Sequence, residues 1–116
     1  MKSEAKIQQE IVEWFKNNYC LNFHDPRYCI FSVPNERSNV KEQMRMIATG
    51  LLSGVSDLIV VMPKKVYFVE VKDAKGTQKP KQKDFEKQVS SLGFTYILVR
   101  SLDEFKDFIQ NRFYLE

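Results

Sequence analysis

Asp57, Glu70 and Lys72 are two acids and a base at the ends of two apolar runs, Leu58-Ile59-Val60-Val61-Met62 and Val66-Tyr67-Phe68-Val69. Charge in such surroundings is costly unless it meets a partner or an ion. Two carboxylates that converge there suit a hard divalent cation. Mg2+ takes oxygen ligands and keeps several waters, so one or two carboxylates suffice. An ammonium pointing into the same cleft would orient water and offset the charge of a phosphate. Together these groups make the chemistry of a divalent-metal site with a lysine beside it. Whether Lys72 is a base or only an orienting group stays open.

Convergence depends on register. With Pro63-Lys64 at the turn, Met62 opposes Lys65, and the pairing runs back to Asp57 opposite Glu70. A slip of one residue would part the acids. Alternation puts Glu70 and Lys72 on one face with Val66 and Phe68, and Val69 and Val71 on the other. Strands this apolar are expected inside a sheet, covered on both sides. Paired acids about 5 Å apart would repel by on the order of 3 kcal/mol at an effective dielectric of about 20.

Further words stand in order along nearly the whole chain: Gly50, Gly54-Val55-Ser56-Asp57, Phe68-Val69-Glu70-Val71-Lys72, Lys79-x-x-Gln82-x-x-Phe85 and Leu92-Gly93. This pattern resembles the VRR-NUC (virus-type replication-repair nuclease) family of the PD-(D/E)XK nuclease superfamily. The resemblance implies a restriction-endonuclease-like core and metal-dependent hydrolysis of DNA phosphodiester bonds, which needs an activated water and relief of charge at phosphorus, with catalytic Asp57, Glu70 and Lys72. It adds the backbone carbonyl of Val71 to Asp57 and Glu70 as metal ligands, and Glu4 directly or through water. It turns Gln82 toward the lysine or the scissile phosphate. The cofactor it implies is Mg2+, with Mn2+ able to substitute. Stand-alone members of this size are associated with phages and prophages and resemble Holliday-junction resolvases. That implies branched DNA as partner and a homodimer in a bacterial cytoplasm.

The elements that must position these residues are legible as patterns. Ile7, Ile11, Trp14 and Phe15 mark an amphipathic helix over 3–19 with Ser3 as N-cap. Glu4 falls within the apolar span, Glu10 on its rim and Glu13 behind it. By position alone Glu4 is a first-turn acid favoured by the helix dipole; the resemblance makes it a site acid. Residues 28–33 read as a strand ended by Pro34. Val40, Met44, Ile47 and Leu51 predict a helix leaving through Gly50 or Gly54, with Met44 and Met46 as core filler. Pro80 opens a helix running to about Leu92, with Phe85, Val89 and Leu92 inward and Gly93 as its stop. Residues 94–99 form a strand, and Ser101 and Glu104 box the start of a closing helix. The order α-β-α-β-β-α-β-α predicts an α/β fold, a mixed sheet flanked by helices, as one domain over 1–116.

Composition bounds the rest. The 116 residues are 43% hydrophobic and 28% charged, with a net charge of +3. That is ordinary for a water-soluble protein and too mildly basic to prove nucleic-acid binding. No apolar run approaches membrane length and no signal-peptide pattern opens the chain, so a cytoplasmic location is expected. Cys20 and Cys29 lack metal or redox spacing and are expected to be reduced thiols. Lone His24 lies in a loop, where solvation is the plain reading. Lys75, Lys79, Lys81, Lys83 and Lys87 follow the acids; they read as a solvated face or, beside the site, as a phosphate track. Asn35 and Arg37 are further candidates for phosphate contact, and Tyr28, Phe113 and Tyr114 for a dimer interface. No base-reading motif is present, which favours structure-selective over sequence-specific cleavage. Two other readings are an inactive nuclease-fold DNA-binding module and a sequence-specific restriction-type enzyme.

Overall fold

The computed structural model describes residues 1–34 and 39–115, the side chains of 112–115 excepted. Asn35 and Arg37 therefore lie outside the described residues, as do the side chains of Phe113 and Tyr114. The elements are α1 (Glu4–Tyr19), β1 (Cys29–Ser32), α2 (Val40–Ala48), β2 (Leu58–Met62), β3 (Lys65–Val71), α3 (Pro80–Ser91), β4 (Thr95–Val99) and α4 (Leu102–Leu115). This is the expected order and α/β class. No helix of the described residues is long and apolar enough to cross a membrane.

The sheet order is β1-β2-β3-β4. The first three strands are antiparallel; β4 runs parallel to β3 after the crossover through α3. The β2–β3 hairpin pairs Met62 with Lys65 and Leu58 with Val69. Pro63 and Lys64 make its turn, Lys64 in the left-handed region at φ 61. Continuing that ladder by one step sets Asp57 opposite Glu70.

One face of the sheet carries the main core. Leu58, Val60, Met62, Tyr67, Val69 and Val71 pack against Ile7, Ile11 and Phe15 of α1 and Phe105 and Ile109 of α4. Ile11, Phe15, Phe105 and Ile109 are fully buried. Each such side chain stabilises the fold by about 1.5–3 kcal/mol. Ser3 Oγ accepts the Lys6 N–H at 3.1 Å, so α1 starts where the sequence predicts. At α4, Ser101 Oγ accepts the Glu104 N–H, while the Glu104 carboxylate accepts the N–H of Arg100 at 2.6 Å. The box therefore closes one residue earlier than expected.

The opposite face is covered unevenly, which corrects the expectation of cover on both sides. Phe85 and Val89 of α3 bury Tyr96, with Phe68 packed beside them, while Leu92, expected inward, lies past the last turn of α3 and is exposed. Phe31, in register with Ile59 and through it with Phe68, is 47% exposed. The α2 helix does not fill the gap. Among the described residues it packs against no other helix or strand. Its Asn39 side chain accepts the Glu42 N–H, and the chain leaves through Gly50 at φ +118. Val40, Met44 and Ile47 do form a stripe at helical spacing, but Met44 is 66% exposed and is not core filler. Periodicity defined the helix face; it carried no information about what, if anything, faces it.

Candidate active site

The hairpin delivers its charged groups to one end of the sheet. Ser56, fully buried, donates its hydroxyl to the Leu58 carbonyl and fixes the entry to β2. Just before that entry Gly54 sits at φ +86 against α3, where a Cβ would lie 2.3 Å from the Lys81 carbonyl oxygen. Asp57 follows, and its Oδ2 accepts the Val71 backbone N–H at 2.7 Å. Burial pushes the Asp57 carboxyl above its ordinary value. The Val71 N–H and then Lys72 pull it back, and Glu70 and Glu4 add smaller upward pushes. Desolvation thus outranks the repulsion between the paired acids at Asp57.

Glu70 is wholly buried. Its Oε1 accepts from the Tyr96 hydroxyl of β4 and from Gln78 Nε2, the latter at 2.9 Å. Its Oε2 lies 3.1 Å from Lys72 Nζ but has no hydrogen-bond partner. Lys72 is itself buried, with its ammonium 3.8 Å from Glu4 Oε1. Glu4 is half-exposed at the first turn of α1 and reaches the cluster through Lys72. The other two acids of α1 are engaged elsewhere, Glu10 with Lys2 at 2.7 Å and Glu13 with Gln9 at 3.0 Å. The structure therefore brings together Asp57, Glu70, Val71, Lys72 and Glu4.

Gln82 is placed differently from the expectation. Its Oε1 accepts the Lys79 N–H at 2.8 Å and caps the start of α3. The glutamine that meets the acids is Gln78, whose Nε2 also donates to Glu86 Oε1 at 2.9 Å. Sequence reasoning singled out neither Gln78 nor Tyr96. Parallel pairing of Phe68 with Tyr96 places Tyr96 on the Glu70 face, and a buried tyrosine hydroxyl needs a partner. Burial and the bond to Glu70 together push the Tyr96 phenol upward, so it stays a donor.

The loop after Lys72 is pinned. Asp73 Oδ1 accepts the N–H groups of Lys75 and Gly76 at 2.9 and 2.6 Å, and these bonds hold its carboxyl below the ordinary range. Arg100 Nη1 donates to the carbonyls of Asp73 and Gly76 at 2.6 and 2.8 Å. Lys75, Lys79, Lys81 and Lys83 stand exposed along this loop and α3. His24 has a local role: its Nδ1 accepts the Leu21 N–H at 2.8 Å. Cys20 is buried and Cys29 exposed, both free.

The donor set fits a small hard cation. A buried carboxylate oxygen without a hydrogen bond is an expensive feature unless charge stands before it. Glu70 Oε2, the Asp57 Oδ1 left over by the bond to Val71, and main-chain oxygen are all hard donors. Among the described residues no three acidic, histidine or cysteine side chains form a closed cage. An open, two-carboxylate set suits an ion that keeps its waters.

A fold of this order with an acid at the entry to the second strand, a second acid on the third and a lysine two residues after it defines a nuclease-like class. The family model of the VRR-NUC domain matches residues 2–103, and the chain belongs to that nuclease family. A solved structure described as a VRR_NUC domain protein superposes with a TM-score of 0.75 at 19% identity, covering 96% of this chain and 88% of that one. That likeness shows the fold. No curated protein matches the chain.

Proposed function

We propose that the chain is a metal-dependent DNA endonuclease that hydrolyses phosphodiester bonds, with Mg2+ as its ion and Mn2+ able to substitute. The observation that carries this reading is the buried Glu70 Oε2, which has no hydrogen bond and sits beside Lys72 on the hairpin that also ends in Asp57. Asp57, Glu70 and the Val71 carbonyl would hold the ion, with Glu4 at its outer side. When bound, the ion would lower the pKa of water and offset charge at the phosphate. Lys72 stands where its ammonium can orient the attacking water and neutralise a phosphate oxygen. In hydrolysis water oxygen bonds to phosphorus and the P–O bond to the leaving sugar oxygen breaks. The exposed lysines of the loop and α3 supply a track for the DNA backbone, which gives affinity without sequence readout.

The preferred substrate in this reading is branched DNA of Holliday-junction or flap type, cut by a homodimer in phage or prophage replication, recombination or repair. It draws on family membership and on the lack of any base-reading element among the described residues. The test is to incubate the purified protein and Mg2+ with duplex, single-stranded, flap and four-way-junction DNA in parallel. Cleavage strongest on a branched substrate, and lost with EDTA, is expected. Binding with no cleavage of any substrate would instead support an inactive DNA-binding module. Cutting at a fixed sequence in plain duplex would support the restriction-type alternative.

A further inference from the structure

We infer that Tyr96 and Gln78 are positioning residues that make the candidate centre selective for Mg2+ over Ca2+, by leaving Glu70 only one oxygen without a hydrogen bond. This rests on the metal-site reading above.

Glu70 Oε1 is committed twice, to the Tyr96 hydroxyl and to Gln78 Nε2. Gln78 is itself fixed, because its amide nitrogen carries two hydrogens and faces two acids. It donates to Glu70 and to Glu86, each at 2.9 Å. The reversed amide would set its oxygen against both carboxylates, so the orientation is determined. Tyr96 is fixed by its ring, buried between Phe85, Val89 and Phe68. Two donors thus hold one carboxylate oxygen and leave Oε2, buried and 3.1 Å from Lys72 Nζ, with no hydrogen bond of its own.

Ca2+ takes six to eight oxygens at about 2.3–2.6 Å and readily accepts a carboxylate through both oxygens, whereas Mg2+ demands a compact octahedron at about 2.0–2.1 Å. A carboxylate with one oxygen tied up by two donors serves the second ion well and the first poorly. For Glu70 to bind Ca2+ through both oxygens, it must give up the bonds from Tyr96 and Gln78. The pair therefore opposes Ca2+ as well as orienting Glu70 for Mg2+.

The test needs no DNA and no turnover. Mn2+ bound to the protein is counted from its electron paramagnetic resonance signal, and Mg2+ and Ca2+ are titrated as competitors. The wild type should bind Mn2+ at a site lost in Asp57→Ala, and Mg2+ should displace it better than Ca2+. Losing such a partner costs about 10–100-fold in metal affinity. Tyr96→Phe and Gln78→Leu should weaken Mg2+ by about tenfold or more and Ca2+ by much less, so the Mg2+/Ca2+ ratio falls. A merely structural role would weaken both ions alike. An unchanged ratio in folded Tyr96→Phe overturns the inference while leaving the metal site standing. If Tyr96→Phe does not fold, Gln78→Leu decides by the same ratio. Failure of the wild type to bind Mn2+ at an Asp57-dependent site overturns both readings.

Discussion

Asp57 and Val71 are joined by a hydrogen bond that crosses the hairpin, from the Val71 N–H to Asp57 Oδ2 at 2.7 Å. The first acid is thereby tied to the backbone of the residue between Glu70 and Lys72. Asp57→Asn keeps an acceptor for that N–H and removes the charge. Burial raises the Asp57 pKa above its ordinary 3.8. The folded state then binds a proton more readily than the unfolded one, so this carboxyl lowers stability at neutral pH. The deficit shrinks as pH falls through the raised value and is gone below the unfolded one. Asp57→Asn should therefore melt a few degrees higher than wild type at pH 7 without metal. The two should converge on acidification, and the variant should lose the stabilisation by Mg2+ and the nuclease activity. Thermal melts across pH check this; a variant that melts lower at pH 7 and still responds to Mg2+ contradicts it.

Lys72 and Glu70 form a buried pair 3.1 Å apart, so removing one partner strands the other. Lys72→Ala should abolish cleavage and also cost about 3–5 kcal/mol. Adding Glu70→Gln should restore much of that stability and none of the activity. Urea denaturation of the two singles and the double supplies the coupling. Simple additivity would mean that the charges do not depend on each other.

Glu4 should matter more than its neighbours on α1. It alone of Glu4, Glu10 and Glu13 approaches Lys72. Glu4→Ala is expected to slow cleavage by about tenfold or more, a modest loss on the scale of removing a charge-stabilising group. Glu10→Ala and Glu13→Ala should stay near wild type. Steady-state rates on the preferred substrate decide it, and the reverse ranking would place the site elsewhere on the helix.

The lysine track has a readout of its own. Replacing Lys79, Lys81 and Lys83 together by alanine should reduce the slope of log affinity against log salt by about 0.9 for each contact that forms. Fluorescence anisotropy in EDTA measures the slope without turnover. An unchanged slope would mean that these side chains only face solvent.

Gly54 and Gly93 allow a paired comparison. Both have positive φ, but a Cβ at Gly54 meets the Lys81 carbonyl at 2.3 Å, while one at Gly93 meets nothing within 4 Å. Gly93→Ala should cost about 1–2 kcal/mol from backbone strain alone. Gly54→Ala should cost more, because the Asp57 loop must also move off α3, and cleavage should fall with it. Equal losses of stability and activity in the two would contradict the close approach.

Much of this was legible in the sequence because it depends on local rules. Strand alternation and a two-residue turn sufficed to set Asp57 opposite Glu70. Helix phasing separated Glu4 from Glu10 and Glu13. What stayed hidden depends on non-local contact. Gln82 and Gln78 are both plausible on pattern, and only the loop path set by Arg100 and Asp73 turns Gln78 to the acids and leaves Gln82 to cap α3. The hydroxyl of Tyr96 gains its meaning from a parallel strand far along the chain. Met44 looked like core because a helical stripe specifies a face and says nothing of its neighbour.

Arg100 joins the end of β4 to the carbonyls of Asp73 and Gly76. The loop that carries Gln78 to Glu70 is thus held from a residue that reaches position only after β4 has docked beside β3. Such pairings, distant in sequence, are closed late because the entropy of the intervening chain opposes them. Glu70 therefore has its Tyr96 and Gln78 partners only once β4 is beside β3. A half-folded chain has the acids and the lysine but not their arrangement, so the candidate site is a property of the closed β3–β4 pair and of no shorter piece of the hairpin.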